Sequence, residues 1–150
     1  MTAIRRTAIA LCLVLVAGAA AGCGFIAAGQ KSISKPTTFV LLGHADVLLP
    51  ASDHAAVGAT CEAPGSITGV AENTPVKVLD AHGVAIANGL LGSGIVARSG
   101  NTATCAFPFQ IPAVPGGSTT YQVVIGDRPA ETFPASLLRQ NAPAVITITK

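Results

Sequence analysis

The chain has few charged and few aromatic residues. Only 11% of its 150 residues are charged, and it has five Phe, one Tyr and no Trp. Two of its nine basic residues are Arg5 and Arg6, which leaves seven basic residues against seven acidic ones in the remainder. Because these charges are scattered and cancel, the sequence has no basic patch and predicts no nucleic-acid partner.

The chain also lacks the short motifs that mark common active sites. It has no Gly-x-Ser-x-Gly segment, and its Gly-rich residues 89–94 lack the Lys of a phosphate-binding loop. Ser52, Asp53 and His54 have the residue types of a catalytic triad, but neighbours in sequence cannot adopt its spatial arrangement. The sequence therefore predicts no catalytic residue and no cofactor.

One local group of side chains has the composition of a metal site, namely His44, Asp46, Asp53 and His54. If a strand places His44 and Asp46 on one face, the following loop could add Asp53 or His54 and complete a zinc site. We expect instead a solvated strand end and loop. A metal-dependent hydrolase that uses the region from His44 to His54 is the alternative function.

The first 23 residues have the order of a secretory signal sequence. Arg5 and Arg6 precede an uncharged run at residues 8–22, and small residues lead up to Cys23. Residues 20–23, Ala-Ala-Gly-Cys, resemble a lipobox, in which a bacterial signal peptidase cuts before a Cys that carries a diacylglycerol thioether. The resemblance implies a lipoprotein that is held in the membrane through acyl chains on Cys23.

Two other outcomes stay open at this segment. Residues 17–19 and 19–21 both read Ala-x-Ala, so the ordinary signal peptidase could cut there and release a secreted protein. The uncharged stretch between Arg6 and Lys31 is also long enough to span a bilayer if it is not cut. All three outcomes predict a domain outside the cytoplasm, and lipidation predicts one at the extracytoplasmic face of the cell membrane.

The other cysteines fit an exported protein. Cys12 lies in the apolar run and Cys23 is the predicted lipid site, which leaves Cys61 and Cys105. An even pair in an oxidising compartment is expected to form a disulfide bond, and two buried free thiols are the alternative. In the chain-entropy model this bond stabilises the domain by about 4 kcal/mol.

The pattern along the chain predicts three regions: a signal peptide at residues 1–22, lipidated Cys23 with a flexible tether to residue 37, and a folded domain at 38–150. In the domain, short apolar segments alternate with Gly and Pro turns. The predicted strands are residues 38–43 with a continuation at 45–49, 75–80, 84–88, 104–111, 120–125 and 144–149, with a helical turn at 135–140. Without a long helix pattern, they predict an all-β, antiparallel β-sandwich.

Several details of this sandwich follow from single residues. Gly83 is expected at a positive φ in the hairpin turn, and Pro108 indicates an edge strand or a bulge. Residues 89–94 are expected to break the strand pattern. Two sets of alternating residues are predicted to face the core: Cys105, Phe107, Phe109 and Ile111 in one strand, and Tyr121, Val123 and Ile125 in another.

Five segments together resemble a group of small exported actinobacterial lipoproteins, mycobacterial in type and of unknown function. They are Pro-Val-Lys-Val-Leu-Asp-Ala-His-Gly at 75–83, Gly-Leu-Leu at 89–91, Cys-Ala-Phe-Pro-Phe at 105–109, Tyr-Gln-Val-Val-Ile-Gly at 121–126 and the closing Val-Ile-Thr-Ile at 145–148. The likeness covers residues 58–150. It implies an Ig-like or transthyretin-like domain behind a lipoprotein signal, and it supplies no catalytic residue.

We therefore expect a non-enzymatic cell-envelope lipoprotein that acts as a binding or accessory module at the outer face of the plasma membrane. Its expected partners are the membrane itself, through Cys23, and an envelope protein or glycan. The long loop at residues 50–69 is the expected contact surface, because Cys61 would pin it to the strand of Cys105.

Overall fold

The computed structural model describes residues 37–50 and 55–149. In these residues the alternating apolar side chains form nine strands and one short helix. In chain order they are β1 (Thr38–Leu48), β2 (Thr60–Cys61), β3 (Pro75–Leu79), β4 (Ala85–Leu90), β5 (Gly94–Ser99), β6 (Thr102–Pro115), β7 (Thr120–Ile125), β8 (Glu131–Pro134), α1 (Ala135–Leu138) and β9 (Ala144–Ile148).

The strands form two sheets that share one apolar core, which confirms the predicted all-β sandwich. The five-stranded sheet has the order β2-β5-β6-β1-β9, and the four-stranded sheet has the order β4-β3-β7-β8. Neighbouring strands are antiparallel except β1 and β9, which run parallel. This pair departs from the expectation of an antiparallel sandwich, because the chain crosses between the sheets after β8 and enters beside β1 in the same direction.

Both predicted core faces are confirmed. Cys105, Phe107, Phe109 and Ile111 of β6 and Tyr121, Val123 and Ile125 of β7 are all buried in one cluster. Burying each large apolar side chain stabilises the fold by about 1.5–3 kcal/mol. The inner face of β1 includes Gly43, where an added Cβ would lie 2.5 Å from the carbonyl oxygen of Ala144. The absence of a side chain at Gly43 therefore lets β9 lie close against β1.

Three strands were not predicted, namely β2, β5 and β8. β4 continues to Leu90 and β5 begins at Gly94, so the expected break in the strand pattern is present but is confined to residues 91–93. They connect one sheet to the other, with Leu91 buried and the Gly92 N–H donating to the Pro108 carbonyl at 2.7 Å. β8 is only four residues long with a proline at its end, and β2, which lies within the predicted loop, has only two residues.

Pro108 lies in an interior strand, so the prediction of an edge strand or bulge is wrong. β6 lies between β5 and β1, and Pro108 pairs with His44 without a register shift. The ladder between β5 and β6 ends at Ala106, however, so the missing N–H of Pro108 falls beyond it. The proline is tolerated because β6 extends past its neighbour at this point.

The predicted hairpin between β3 and β4 is present, and Gly83 has a φ of 78° in its turn. The Asp80 carboxylate accepts hydrogen bonds from the N–H groups of His82 at 2.8 Å and Val84 at 3.0 Å. These bonds favour the charged carboxylate, and the bond from Val84 contributes most to holding the pKa of Asp80 below its ordinary value.

The C-terminal end of β6 is joined to β7 and α1 by side-chain hydrogen bonds. The Tyr121 hydroxyl donates to the Pro115 carbonyl at 2.7 Å, so the polar group of this buried tyrosine has a hydrogen-bond partner. Arg139, which follows α1, donates to the carbonyls of Gly116 at 2.9 Å and Ser118 at 2.7 Å. These bonds fix the turn between β6 and β7.

In the part of the chain that the structure describes, no helix combines the length and the apolar character that a bilayer crossing requires. The predicted signal peptide, Cys23 and the tether up to residue 36 lie outside the described residues. Asp53 and His54 also lie outside them.

Candidate functional site

The predicted disulfide bond joins Cys61 to Cys105, with their Cα atoms 5.9 Å apart. Cys105 is fully buried on β6, whereas Cys61 is half-buried at the end of β2. β2 is only two residues long and pairs with β5 through Thr60 and Cys61. The bond therefore attaches a loop with little regular structure to a central strand of the sandwich.

Backbone hydrogen bonds hold the two ends of this loop, residues 55–74. Near its start, the Gly58 N–H donates to the Val96 carbonyl at 2.9 Å, and the Val96 N–H donates to the Ala59 carbonyl at 2.8 Å. Near its end, Asn73 and Leu91 are joined by a bond of 2.9 Å from the Asn73 N–H. Between these points the disulfide bond supplies the covalent attachment to β6.

A cleft of about 710 Å³ lies beside the disulfide bond. Its described lining residues come from β2, the loop that follows it, the start of β5 and β6: Thr60, Cys61, Glu62, Ala63, Ile67, Val70, Ala71, Glu72, Ser93, Gly94 and Phe107. Sites for small molecules commonly have volumes of about 300–1,000 Å³. The cleft is therefore large enough for a small ligand or for a side chain of a partner.

Gly94 makes the close packing at the base of this cleft sterically feasible. A Cβ added at Gly94 would lie 2.5 Å from the carbonyl oxygen of Cys61 and 2.6 Å from the Cys105 sulfur. Real Cβ atoms do not approach other atoms this closely, so any larger residue would displace β2 or the disulfide bond. Gly94 thus lets the loop pack directly onto β5 and β6.

The polar groups of the cleft are acidic or neutral. Glu62 and Glu72 are exposed at its sides and Ser93 is exposed beside Gly94. Among the described lining residues there is no Lys, Arg or His, and the sulfur atoms are joined in the disulfide bond. The arrangement suits the binding of a neutral or positively charged group, and it contains no Ser–His or Cys–His pair for nucleophilic catalysis.

The structure places His44 and Asp46, two of the four candidate metal residues, away from the cleft. His44 and Asp46 lie on the outward face of β1, so the condition that a strand places both on one face is met, with His44 Nε2 3.5 Å from Asp46 Oδ2. Within residues 37–50 and 55–149, no group of three metal-binding side chains forms. Because Asp53 and His54 are outside the described residues, the four-residue site stays the alternative hypothesis, and the solvated strand end and loop stay the prediction.

Sequence analysis predicted the loop and its attachment, but it missed most of the cleft residues. Glu72 lies beyond the predicted loop, and Ser93 and Gly94 lie in the segment that was expected to break the sheet pattern. The one sequence signal for this site was Cys61 within a long loop. No sequence signal showed that Glu62, Glu72 and Ser93 would line one cleft.

Comparisons of the chain with protein-family models, with curated proteins and with solved structures found no match. The resemblance to exported actinobacterial lipoproteins therefore stays a prediction from the quoted segments.

Proposed function

We propose that this protein is a non-enzymatic cell-envelope lipoprotein whose β-sandwich binds a partner at the outer face of the plasma membrane. The cleft beside Cys61 is the proposed contact site, and an envelope protein or a glycan is the proposed partner. The observation that carries the proposal is a loop attached by a disulfide bond to a rigid sheet, with a cleft and two exposed carboxylates at its surface.

The disulfide bond supports a location outside the cytoplasm. Structural disulfides persist in oxidising compartments and are rare where thiols are kept reduced. The N-terminal sequence supports the same location independently, because Arg5 and Arg6 precede an apolar run that ends at Cys23. A diacylglycerol thioether at Cys23 would supply two acyl chains, which is sufficient for stable membrane attachment.

The loop supports binding rather than catalysis. Binding residues are concentrated on loops that a rigid scaffold positions, and here the scaffold is β5 and β6. Glu62 and Glu72 are exposed, and neither forms an ion pair with another described residue. Their charges are thus available to a partner that carries basic or hydrogen-bond donor groups.

Anchoring is tested by the intact mass of the protein from its native membrane. We expect a mature N-terminus at Cys23 with the added mass of the lipid, and Cys23→Ala should abolish that addition. An unmodified N-terminus at residue 20 or 22 would show secretion instead, and an intact residue 1 would show an uncut segment. Either result would contradict the lipoprotein proposal, but neither would contradict the proposal that the cleft binds a partner.

Binding is tested by crosslinking the protein in its native membrane and comparing two variants. Glu62→Gln/Glu72→Gln removes both carboxylate charges of the cleft, and it should reduce partner capture while leaving the unfolding midpoint unchanged. The matched control, Asp46→Asn/Glu131→Gln, removes two negative charges at residues that do not line the cleft. Equal capture by both variants would place the contact elsewhere on the domain.

A metal-dependent hydrolase stays the alternative proposal, supported by the proximity of His44 and Asp46 on one face of β1. Stoichiometric zinc in protein purified without added metal would favour it. The decisive result would be a hydrolytic activity in the wild type, and loss of both the zinc and that activity in Asp53→Ala/His54→Ala. Absence of metal from wild-type protein, and no change in thermal stability on adding zinc, would favour binding without catalysis.

A further inference from the structure

β9 is an edge of the five-stranded sheet, and in the described part of the chain it pairs only with β1. Its five residues, Ala-Val-Ile-Thr-Ile, include no charged residue and no proline. An edge strand presents a row of backbone N–H and C=O groups that another strand can bind. Proteins commonly prevent such pairing with very short edges, charges, prolines or bulges, and β9 has none of these features.

The other three edges among the described strands are less suited to pairing. β2 has only two residues. β8 begins with Glu131 and ends with Pro134. β4 contains Asn88 and Gly89, residue types that are depleted in strands, and its ladder with β3 is irregular. β9 is therefore the edge with the fewest barriers to strand addition.

The sequence of β9 is complementary to itself when two copies run antiparallel about Ile146. In this register Ile146 lies opposite Ile146 of the second copy, and Ala144 lies opposite Ile148. These three residues are buried on the core side of the strand, so small and large side chains alternate across the contact. On the outer side Val145 lies opposite Thr147, and no charge meets a charge of the same sign.

We propose that the protein forms a twofold homodimer in which the β9 strands of two copies pair antiparallel and join the two five-stranded sheets. The interface is isologous, because each copy contributes the same five residues in the same register. Val145, which is 40% exposed, would lose part of that exposure against Thr147 of the second copy. This proposal depends neither on lipidation nor on binding at the cleft.

The dimer would leave both clefts accessible. The cleft is built around β2, which lies at the opposite edge of the same sheet from β9. Pairing through β9 therefore places the two clefts at the two outer edges of the joined sheet. Two sites on one assembly would allow bivalent attachment to a repetitive envelope partner.

Two variants that differ at one side chain test both the dimer and its register. Val145→Lys/Thr147→Lys places lysine opposite lysine twice in the proposed dimer. Val145→Glu/Thr147→Lys places glutamate opposite lysine twice. The lysine at position 147 is beside Asp46 in both variants, and residue 145 is beside His44, so the charges within each copy differ only at position 145.

The test is the oligomeric state of the full chain, purified in a mild detergent. It is to be measured by sedimentation and light scattering, with the detergent mass subtracted. Wild type and the glutamate–lysine variant should be dimers. The dimer dissociation constant of the lysine–lysine variant should be higher by roughly tenfold or more. Thr132→Lys, on the edge strand β8, should leave the dimer unchanged.

Three results would overturn the proposal. A monomeric wild type would exclude the dimer, and protection of the β9 amides that point away from β1 in that monomer would show that another part of the chain covers the edge. Dimers of equal affinity in both double variants would place the interface on another surface. A glutamate–lysine variant that dissociates like the lysine–lysine variant would exclude this register, provided that both variants form the disulfide bond and unfold at similar urea concentrations.

Discussion

The two ends of β6 are held to the rest of the domain by different chemistry. In its first half, Cys105 is joined covalently to Cys61 and so to the loop at residues 55–74. At its last residue, the Pro115 carbonyl accepts the Tyr121 hydroxyl, and the turn beyond it accepts bonds from Arg139. One end carries a long loop with a cleft, and the other carries a short turn between adjacent strands.

The difference shows how the way in which a loop is attached determines which of its side chains are available for binding. Hydrogen bonds hold the short turn because its carbonyl groups lie within reach of side chains fixed by β7 and α1. The long loop is held by backbone bonds near its two ends, by the disulfide bond at Cys61, and by a bond of 3.0 Å from the Arg128 side chain to the Thr68 carbonyl. None of these bonds uses a carboxylate of the loop. Glu62 and Glu72 are consequently not required for attachment, and they are available for contact with a partner.

Removing the disulfide bond should have the largest effect on stability. Cys61→Ala/Cys105→Ala opens a loop with a sequence separation of 44 residues. The free energy of unfolding should fall by about 4 kcal/mol, as measured by urea denaturation. Amide exchange should accelerate in the loop at residues 55–74 but not in the turn near Pro115. A loss below about 1 kcal/mol would show that the hydrogen bonds alone hold the loop.

Removing the polar contacts at the other end should have an intermediate effect. Arg139→Gln loses the bonds to the Gly116 and Ser118 carbonyls, and we expect a loss of about 2 kcal/mol in urea denaturation. Tyr121→Phe removes the bond to Pro115 and should cost about 1 kcal/mol.

The two losses at this end should not add, because an Arg139 nitrogen also lies 3.3 Å from the Tyr121 hydroxyl. Arg98→Gln at the exposed end of β5 is the matched control and should change stability little. Strict additivity of the two substitutions would show that the two side chains act independently.

The smallest effect is a dependence on pH at the hairpin between β3 and β4. The folded-state pKa of Asp80 is lowered, so its contribution to stability is present above the ordinary Asp pKa and disappears as the pH falls through the lowered value. Asp80→Asn should flatten the pH dependence of the urea midpoint below about pH 4. Identical slopes for wild type and Asp80→Asn would contradict this assignment.

Short patterns in the sequence predicted most of the strands, because the alternation that marks the buried face of a strand involves residues close together in the chain. The alternation at Cys105, Phe107 and Phe109 specified the core face of β6, and the compartment argument specified the partner of Cys61. β5 was missed because the Gly residues before it indicated a break in the strand pattern. These residues connect β4 in one sheet to β5 in the other. β8 was missed because a four-residue strand that ends in proline resembles a turn.

The remaining features depend on residues that are distant in sequence. The parallel pairing of β1 with β9 depends on the path of the chain through β8 and α1, which no short pattern records. The cleft likewise combines Glu62, Glu72 and Ser93 from separate segments. Sequence analysis identified the loop, but only the folded arrangement shows which side chains share its surface.

The pairing of β1 with β9 also determines when the domain can fold. Gly43 pairs with Ala144, so β1 cannot pair with β9 until residues 144–148 have been synthesised. Contacts between such distant segments slow folding, because a long loop must close before they form. The five-stranded sheet can therefore be completed only after all the strands of the four-stranded sheet have been synthesised.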